Sequence, residues 1–170
     1  TTRGLIRGIA YHMHEDLGYN IGGFDAYVQS DVFAGSGLSS SAAIEVMIYT
    51  IFNYLYNDGK LDAVEGAKTS QWAENNYFGK PCGLMDQTAC ALGKLVYIDF
   101  EKPETPKIEN IEYDFDKKGY SIIITNVHAD HADLTQEYAA ITEEMGAVAK
   151  FFGKEKLRDV NENLFYGSLK

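Results

Sequence analysis

The sequence predicts an α+β fold, and three observations lead to that prediction. Apolar residues recur with the period of a helix in some segments and alternate with polar residues in others. The two kinds of segment are mixed, without the regular strand–helix alternation that is typical of a doubly wound sheet. Hydrophobic residues make up 45% of the 170 residues, and aromatic residues 13%. Such a chain can bury one good core without disulfides or a structural metal.

The N-terminal half is predicted to hold three helices and one strand. An apolar stripe at helical spacing predicts a helix over 3–13, and alternation predicts a half-buried strand over 24–32. A Gly/Ser loop follows at 35–41. The next segment is apolar nearly all round and predicts a buried helix that ends near Asn57. A further helix is predicted over 62–77, with the Asp62 side chain capping its start.

The C-terminal half is predicted to contain short strands followed by one long helix. Strands are predicted over 88–92, 94–99, 107–114 and 121–127 because these runs are apolar or alternating and lie between turn residues. An amphipathic helix is predicted over 134–152, before a terminating glycine. These elements complete the α+β prediction.

Charge and composition exclude several classes of function. Fifteen basic residues against 25 acidic ones give a net charge of −10, which disfavours a nucleic-acid partner. No run of about 18 apolar residues is present, so the sequence predicts no membrane span. The first residues lack the layout of a secretory signal. Only two cysteines are present, Cys82 and Cys90, which favours free thiols over a disulfide and a cytoplasmic location.

The Gly/Ser loop is the sharpest candidate for a phosphate site. Glycines let a backbone approach a ligand closely, and the free amides at a helix N-terminus favour an anion. The loop is not a Walker A motif, since no Gly-Lys pair here is followed by Ser or Thr. The alternative is a turn whose serines cap the next helix. The candidate residues are Gly35, Ser36, Gly37, Leu38, Ser39, Ser40 and Ser41.

A second candidate is Asp86, which lies between Met85 and Gln87 after a glycine-containing turn. A carboxylate there is able to act as a general base towards a substrate hydroxyl. The alternative is a loop aspartate hydrogen-bonded to nearby amides, which is the commoner fate of this residue type.

A third cluster follows the apolar run 121–127 and has the composition of a metal site. Its spacing is not that of a helical H-E-x-x-H motif, and ligand type alone is weak grounds for a metal. The sequence instead favours Asp133 as the N-cap of the long helix, with Gln136 completing a capping box. The cluster consists of His128, Asp130, His131 and Asp133.

Three segments, taken together, resemble the galactokinases of the GHMP kinase family. GSGLSSSAAIE (35–45) is similar to the second family motif, the phosphate-binding loop. ENNYFGKPCGLMDQ (74–87) is similar to the segment that holds the catalytic aspartate. IIITNVHADHADLTQEY (122–138) is similar to the strand and helix start that follow it. The order and separations of the segments also agree.

The resemblance implies a role for each matching position. Residues 35–41 would hold the phosphates of ATP, and Ser41 and Glu74 would coordinate Mg²⁺. Asp86 would accept or orient the proton of the sugar's anomeric hydroxyl, while Gly83 and Tyr138 would contact the sugar. The sequence departs from the family where arginines usually follow the Glu-Tyr pair, since Ala139, Ala140 and Ile141 stand there.

The resemblance also implies an architecture and a reaction. Residues 1–126 would form an incomplete N-terminal domain of the ribosomal protein S5 domain 2-like kind, and 127–170 the first helices of a second domain. The reaction would be ATP-dependent phosphorylation of galactose to galactose 1-phosphate. The first and third family motifs have no counterpart, so we expect a fragment that is inactive alone. Apolar residues left uncovered would then promote self-association, namely Val148, Phe151 and Phe152.

Two alternatives to galactose phosphorylation stay open at this point. One is a kinase for another sugar, such as N-acetylgalactosamine or arabinose. The other is a non-catalytic sensor of galactose and ATP. The serine loop and Asp86 do not separate the first alternative from a galactokinase, and they argue only weakly against the second.

Overall fold

A computed structural model describes residues 2–32, 37–125 and 135–169, and of residues 135, 136, 138 and 139 it describes only the backbone. The chain divides into two compact units, residues 1–129 and 130–170. Each unit is described by itself below.

The first unit is mainly helical. Helix α1 spans Thr2–Tyr11 and continues as a π-helical turn over His12–Asp16. Helix α2 spans Ser40–Tyr56. Helix α3 spans Ala63–Trp72 and continues as a π-helical turn over Ala73–Tyr77, which confirms the helix predicted over 62–77. The predicted cap is also present, since Asp62 Oδ1 accepts the amides of Val64 and Glu65 at 2.8 and 3.1 Å.

Helix α4, Met85–Leu92, replaces the strand predicted over 88–92. A short apolar run fits a strand and a buried helix equally well, because periodicity does not separate the two at this length. Alanine and leucine favour a helix here. Gly93, at φ +64°, ends the helix and donates its amide to the Ala89 carbonyl at 2.9 Å. The strand prediction at 88–92 was therefore wrong.

The core of the first unit forms where α1, α2 and the turn after α3 meet. Ile9 of α1 and Met13 of the π-helical turn that continues it are four residues apart, and both are fully buried. Gly66 of α3 lets the Tyr49 ring approach, because a Cβ at that position would lie 2.6 Å from the ring. The core residues are Ile9, Met13, Ile48, Tyr49, Phe52 and Ala73.

The described residues contain one sheet, which has two strands. Strand β1, Leu95–Asp99, pairs antiparallel with strand β2, Lys107–Ile111. These strands confirm the predictions at 94–99 and 107–114, although the second is shorter. The described residues at 24–32 and 121–125 pair with no strand, so those two predictions were wrong there. Alternation or apolar character identifies a segment that suits a sheet, but a strand also needs a partner.

The second unit consists of a long helix and two short ones. Helix α5 spans Thr135–Phe151, close to the predicted 134–152. A 3₁₀ turn covers Leu157–Asp159, and helix α6 spans Glu162–Gly167. Gly153, at φ +69°, lies just beyond the end of α5. The cluster at 128–133 and the proposed Asp133 cap lie outside the described residues.

None of the helices in the described part of the chain combines the length and the apolar character that crossing a lipid bilayer requires.

Candidate active site

The serine loop leads directly into helix α2. Gly35 and Ser36 lie outside the described residues, while Gly37 has a φ of +75° and Ser39 a φ of +58°. A positive φ is uncommon for a residue other than glycine, and such strain clusters at ligand sites. The Ser39 side chain makes no hydrogen bond to the first amides of α2. The capping interpretation is therefore wrong for Ser39, whose side chain does not occupy the first amides of α2.

Glu45 is fully buried on α2, one helical turn beyond Ser41. Residues four apart on a helix are neighbours on one face, so Ser41 and Glu45 share a face. Glu45 is also the one charged residue of α2, whose other residues are apolar, aromatic or uncharged polar. A carboxylate in such surroundings is costly unless other groups compensate its charge.

Glu74 and Gln87 complete what we call the buried carboxylate cluster, defined as Glu45, Glu74 and Gln87. Both residues are at most 3% exposed. Gln87 Nε2 donates to Glu45 Oε2 at 3.3 Å and to Glu74 Oε2 at 3.2 Å. The cluster therefore joins three elements: α2, which starts at the serine loop, the π-helical turn after α3, and α4.

Lys80 supplies a positive charge at the outer side of the cluster. Its Nζ lies 3.2 Å from Glu74 Oε1, and its side chain is about half exposed, against 4% for Glu74. The chain reverses at Gly79, which has a φ of +78°. The Lys80 amide donates to the Glu74 carbonyl at 2.9 Å, which fixes the backbone of the lysine beside its partner.

The electrostatics of the cluster favour a proton on Glu45. Burial, and next the negative charge of Glu74, raises the pKa of Glu45 from 4.5 to about 7, against opposing effects of Gln87 and Lys80. Burial and the same glutamate raise the pKa of the Cys82 thiol to about 12. Cys82 and Cys90 are both free thiols, as the sequence predicted. Two buried oxygens of the cluster, Glu45 Oε1 and Gln87 Oε1, accept no hydrogen bond from the described residues.

Asp86 lies in the first turn of α4, immediately before Gln87, and is partly buried. The alternative of a loop aspartate is wrong, because the residue belongs to a helix. Adjacent helical residues point about 100° apart. While Gln87 points into the buried cluster, Asp86 therefore lies on a neighbouring face of the same turn. Gly83 is exposed just before this helix. Tyr138 belongs to α5 of the other unit, and its role as a sugar contact stays a prediction.

The oxygen atoms at this site suit Mg²⁺. Magnesium keeps several waters and is usually held by one or two carboxylates together with substrate phosphates. Glu74 offers a carboxylate, and Ser41 offers a hydroxyl on the face of α2 that also carries Glu45. Within the described ranges, no three His, Cys, Asp or Glu side chains group into a metal site of their own. A cation here would therefore depend on serine, water and phosphate oxygens as well.

Sequence reasoning missed three residues of this site: Glu45, Gln87 and Lys80. Glu45 had a detectable signal, since a single carboxylate in an otherwise uncharged apolar helix requires a partner. Gln87 and Lys80 had no signal in the sequence, because their contacts with Glu74 depend on which helices pack together.

The N-terminal half of the chain is similar to known proteins. The profile of the GHMP kinases N terminal domain matches residues 4–94, which is more than half of the chain. A galactokinase from Clostridium tetani (strain Massachusetts / E88) is 52% identical over 79 residues. That alignment covers 46% of this chain and 20% of the relative, so the chain matches about a fifth of the relative's length. From the match to the family profile, the chain belongs to the GHMP kinase family.

Proposed function

We propose that this chain contributes the phosphate loop and the catalytic carboxylate of a kinase that phosphorylates galactose at its anomeric hydroxyl. The donor would be ATP and the product galactose 1-phosphate. Family membership and the named activity of the relative support a sugar kinase. The observation that carries the proposal is the buried carboxylate cluster. It ties the helix that starts at the serine loop to the helix that holds Asp86.

ATP binding is assigned to the serine loop. Backbone amides and hydroxyls from Gly35 to Ser41 would hold the phosphates at the start of α2, where the helix dipole favours negative charge. Ser41 and Glu74 would hold Mg²⁺, which neutralises charge on the β- and γ-phosphate oxygens when it is bound. The absence of a cap hydrogen bond from the Ser39 side chain and the burial of Glu74 support this assignment.

Asp86 would act on the sugar. The anomeric oxygen forms a bond to the γ-phosphorus, the bond from that phosphorus to the β–γ bridging oxygen breaks, and ADP leaves. Asp86 would accept a hydrogen bond from the hydroxyl as the oxygen attacks, and the proton would pass to Asp86 as the bond to phosphorus forms. An aspartate is much less basic than a sugar alkoxide, so its main contribution is to orient the hydroxyl. Gly83 and Tyr138 are the proposed sugar contacts.

We extend the proposal to the architecture and location of the protein. Residues 1–126 would belong to a ribosomal protein S5 domain 2-like N-terminal domain, and 127–170 to a second domain. The division into compact units after residue 129 supports this boundary. Phe151, which is 78% exposed, would promote self-association, while Val148 and Phe152 are half-buried and would contribute less. A cytoplasmic location fits the two free thiols.

The test is ³¹P NMR of the full-length gene product with ATP, Mg²⁺ and one sugar at a time. Galactose, N-acetylgalactosamine and arabinose form the panel. We expect a sugar 1-phosphate resonance and ADP with galactose. Turnover of another sugar in place of galactose would reassign the substrate. ATP binding without any sugar phosphate would contradict a kinase and favour a sensor.

A further inference from the structure

We propose that Lys80 is a resident cation of the active site, which pairs with Glu74 Oε1 and which a divalent metal displaces from that oxygen. The inference rests on the proposed function insofar as it takes Glu74 as the metal ligand. It assigns Lys80 a positioning role, since the lysine acts through Glu74 and leaves the carboxylate when the metal arrives.

The two oxygens of Glu74 have different partners. Oε2 points inward and accepts from Gln87 Nε2 at 3.2 Å, within the buried carboxylate cluster. Oε1 points outward and meets Lys80 Nζ at 3.2 Å. The inner contact is with a neutral amide that is 1% exposed, so its geometry is fixed by packing. The outer oxygen is therefore the one that can exchange its partner.

The Lys80 ammonium is able to move away from Glu74 Oε1. Its side chain is about half exposed, and the ammonium at its end retains access to solvent. The hydrogen bond from the Lys80 amide to the Glu74 carbonyl keeps the residue beside the site after the ammonium departs. A lysine ammonium is a single charge on a flexible stem, in contrast to the planar fork of an arginine.

Glu74 needs such a cation while no metal is bound. It is nearly buried and shares Gln87 with Glu45, so two carboxyl groups lie in one low-dielectric site. Two negative charges in such a site repel each other. The ammonium of Lys80 compensates the charge of Glu74, and a divalent cation at the same oxygen would compensate it more strongly. Lysine and metal therefore compete for one oxygen.

The experiment measures Mn²⁺ binding to the 170-residue chain by the loss of the free-ion electron paramagnetic resonance signal. Lys80→Met keeps the apolar stem and removes the charge, whereas Lys80→Arg keeps the charge. Lys60→Met is the matched control, because Lys60 also pairs with a carboxylate, at 2.9 Å from Asp58 Oδ2, where both side chains are exposed. Glu74→Gln tests the site itself. Circular dichroism and thermal melting confirm that each variant is folded.

We expect Lys80→Met to bind Mn²⁺ about fivefold more tightly than the wild type, which corresponds to the loss of one half-exposed competing ion pair. Lys80→Arg restores wild-type affinity, Lys60→Met changes it by less than about twofold, and Glu74→Gln abolishes the tight site. Weaker binding in Lys80→Met would overturn the inference, because the lysine would then assist the metal or its anion. An equal increase in the Mn²⁺ affinity of Lys60→Met would also overturn the inference.

The design separates this inference from the proposed function. Binding that Glu74→Gln abolishes and Lys80→Met leaves unchanged overturns the role of Lys80 while the metal site stands. Absence of Mn²⁺ binding in the wild type and in Lys80→Met alike overturns this inference, whereas phosphoryl transfer by the full-length gene product is tested separately by ³¹P NMR.

Discussion

Replacing Glu45 by glutamine removes a carboxyl group that the folded chain buries next to Glu74. The glutamine keeps an acceptor for Gln87 Nε2 and places an amide where Glu45 Oε1 accepts no hydrogen bond from the described part of the chain. In the folded state the pKa of this glutamate is about 7, whereas the ordinary value of 4.5 applies in the unfolded chain. Between these values the folded state binds the additional proton, so the wild type becomes less stable as the pH rises.

The size of the effect follows from the two pKa values. One pKa unit corresponds to 1.36 kcal/mol, so a rise from 4.5 to about 7 amounts to about 3 kcal/mol. This cost of burying the charge is absent below pH 4.5 and complete above about pH 7. Glu45→Gln carries no such charge. Its stability relative to the wild type should therefore rise by about 2.5 kcal/mol between pH 5 and pH 8, because a part of the cost is already present at pH 5.

The assay is equilibrium urea unfolding at pH 5 and pH 8, followed by the fluorescence of Trp72. This is the single tryptophan of the chain, and its ring stacks on His12 with centroids 4.2 Å apart, so it reports the first unit. The free energies of unfolding come from the midpoints and slopes of the urea curves. A change in Trp72 fluorescence intensity with pH does not alter these two quantities. Glu112→Gln is the control, because its carboxylate is 84% exposed.

A difference between Glu45→Gln and the wild type that is the same at both pH values would contradict a raised pKa of Glu45 in the folded chain. Either the proton would then lie elsewhere, or the cluster would be open to water. A decrease in the relative stability of the variant towards pH 8 would give the wrong sign. Glu112→Gln should show no pH-dependent difference from the wild type.

Three smaller predictions use the same unfolding assay or simple chemistry. Gly66→Ala should destabilise the chain by about 1–3 kcal/mol, although alanine favours helices, because its Cβ would lie 2.6 Å from the Tyr49 ring; a stabilised variant would contradict this packing. Asp62→Ala should cost about 1 kcal/mol through the lost cap of α3, and an unchanged urea midpoint would contradict it. Cys82 should react with iodoacetamide much more slowly in the folded chain than in urea, because burial raises its pKa to about 12; equal rates by mass spectrometry of its peptide would contradict it.

Helices were predictable from the sequence because their determinants are local. Ile9 and Met13 are one turn apart and both face the core, and Asp62 caps the helix that follows it. Strands were less predictable, because pairing joins residues distant in sequence. The segment 24–32 alternates as a strand does, yet its described residues pair with no other strand. The run 88–92 failed for a different reason, since five apolar-rich residues fit either kind of element.

The candidate site was predictable in its chemistry and not in its assembly. The serine loop and Asp86 carry residue types whose functions follow from their chemistry and from the resemblance. That Glu45 and Glu74 share one amide of Gln87 depends on the packing of α2 and α3 against α4, which no local pattern encodes. The ion pair of Lys80 with Glu74 depends on the chain reversal at Gly79, which brings the Lys80 ammonium to 3.2 Å from Glu74 Oε1.

The central claim is that Asp86, held next to the buried carboxylate cluster, serves phosphoryl transfer to a sugar. The most direct test is galactose-1-phosphate formation by the full-length gene product and its Asp86→Asn variant, measured by ³¹P NMR beside ATP affinity. Asp116→Asn is the control, because Asp116 is exposed in a 3₁₀ turn of the same unit. We predict that Asp86→Asn lowers turnover by about 10²–10⁴-fold with ATP affinity unchanged, and that Asp116→Asn matches the wild type. Wild-type turnover in Asp86→Asn would contradict the claim.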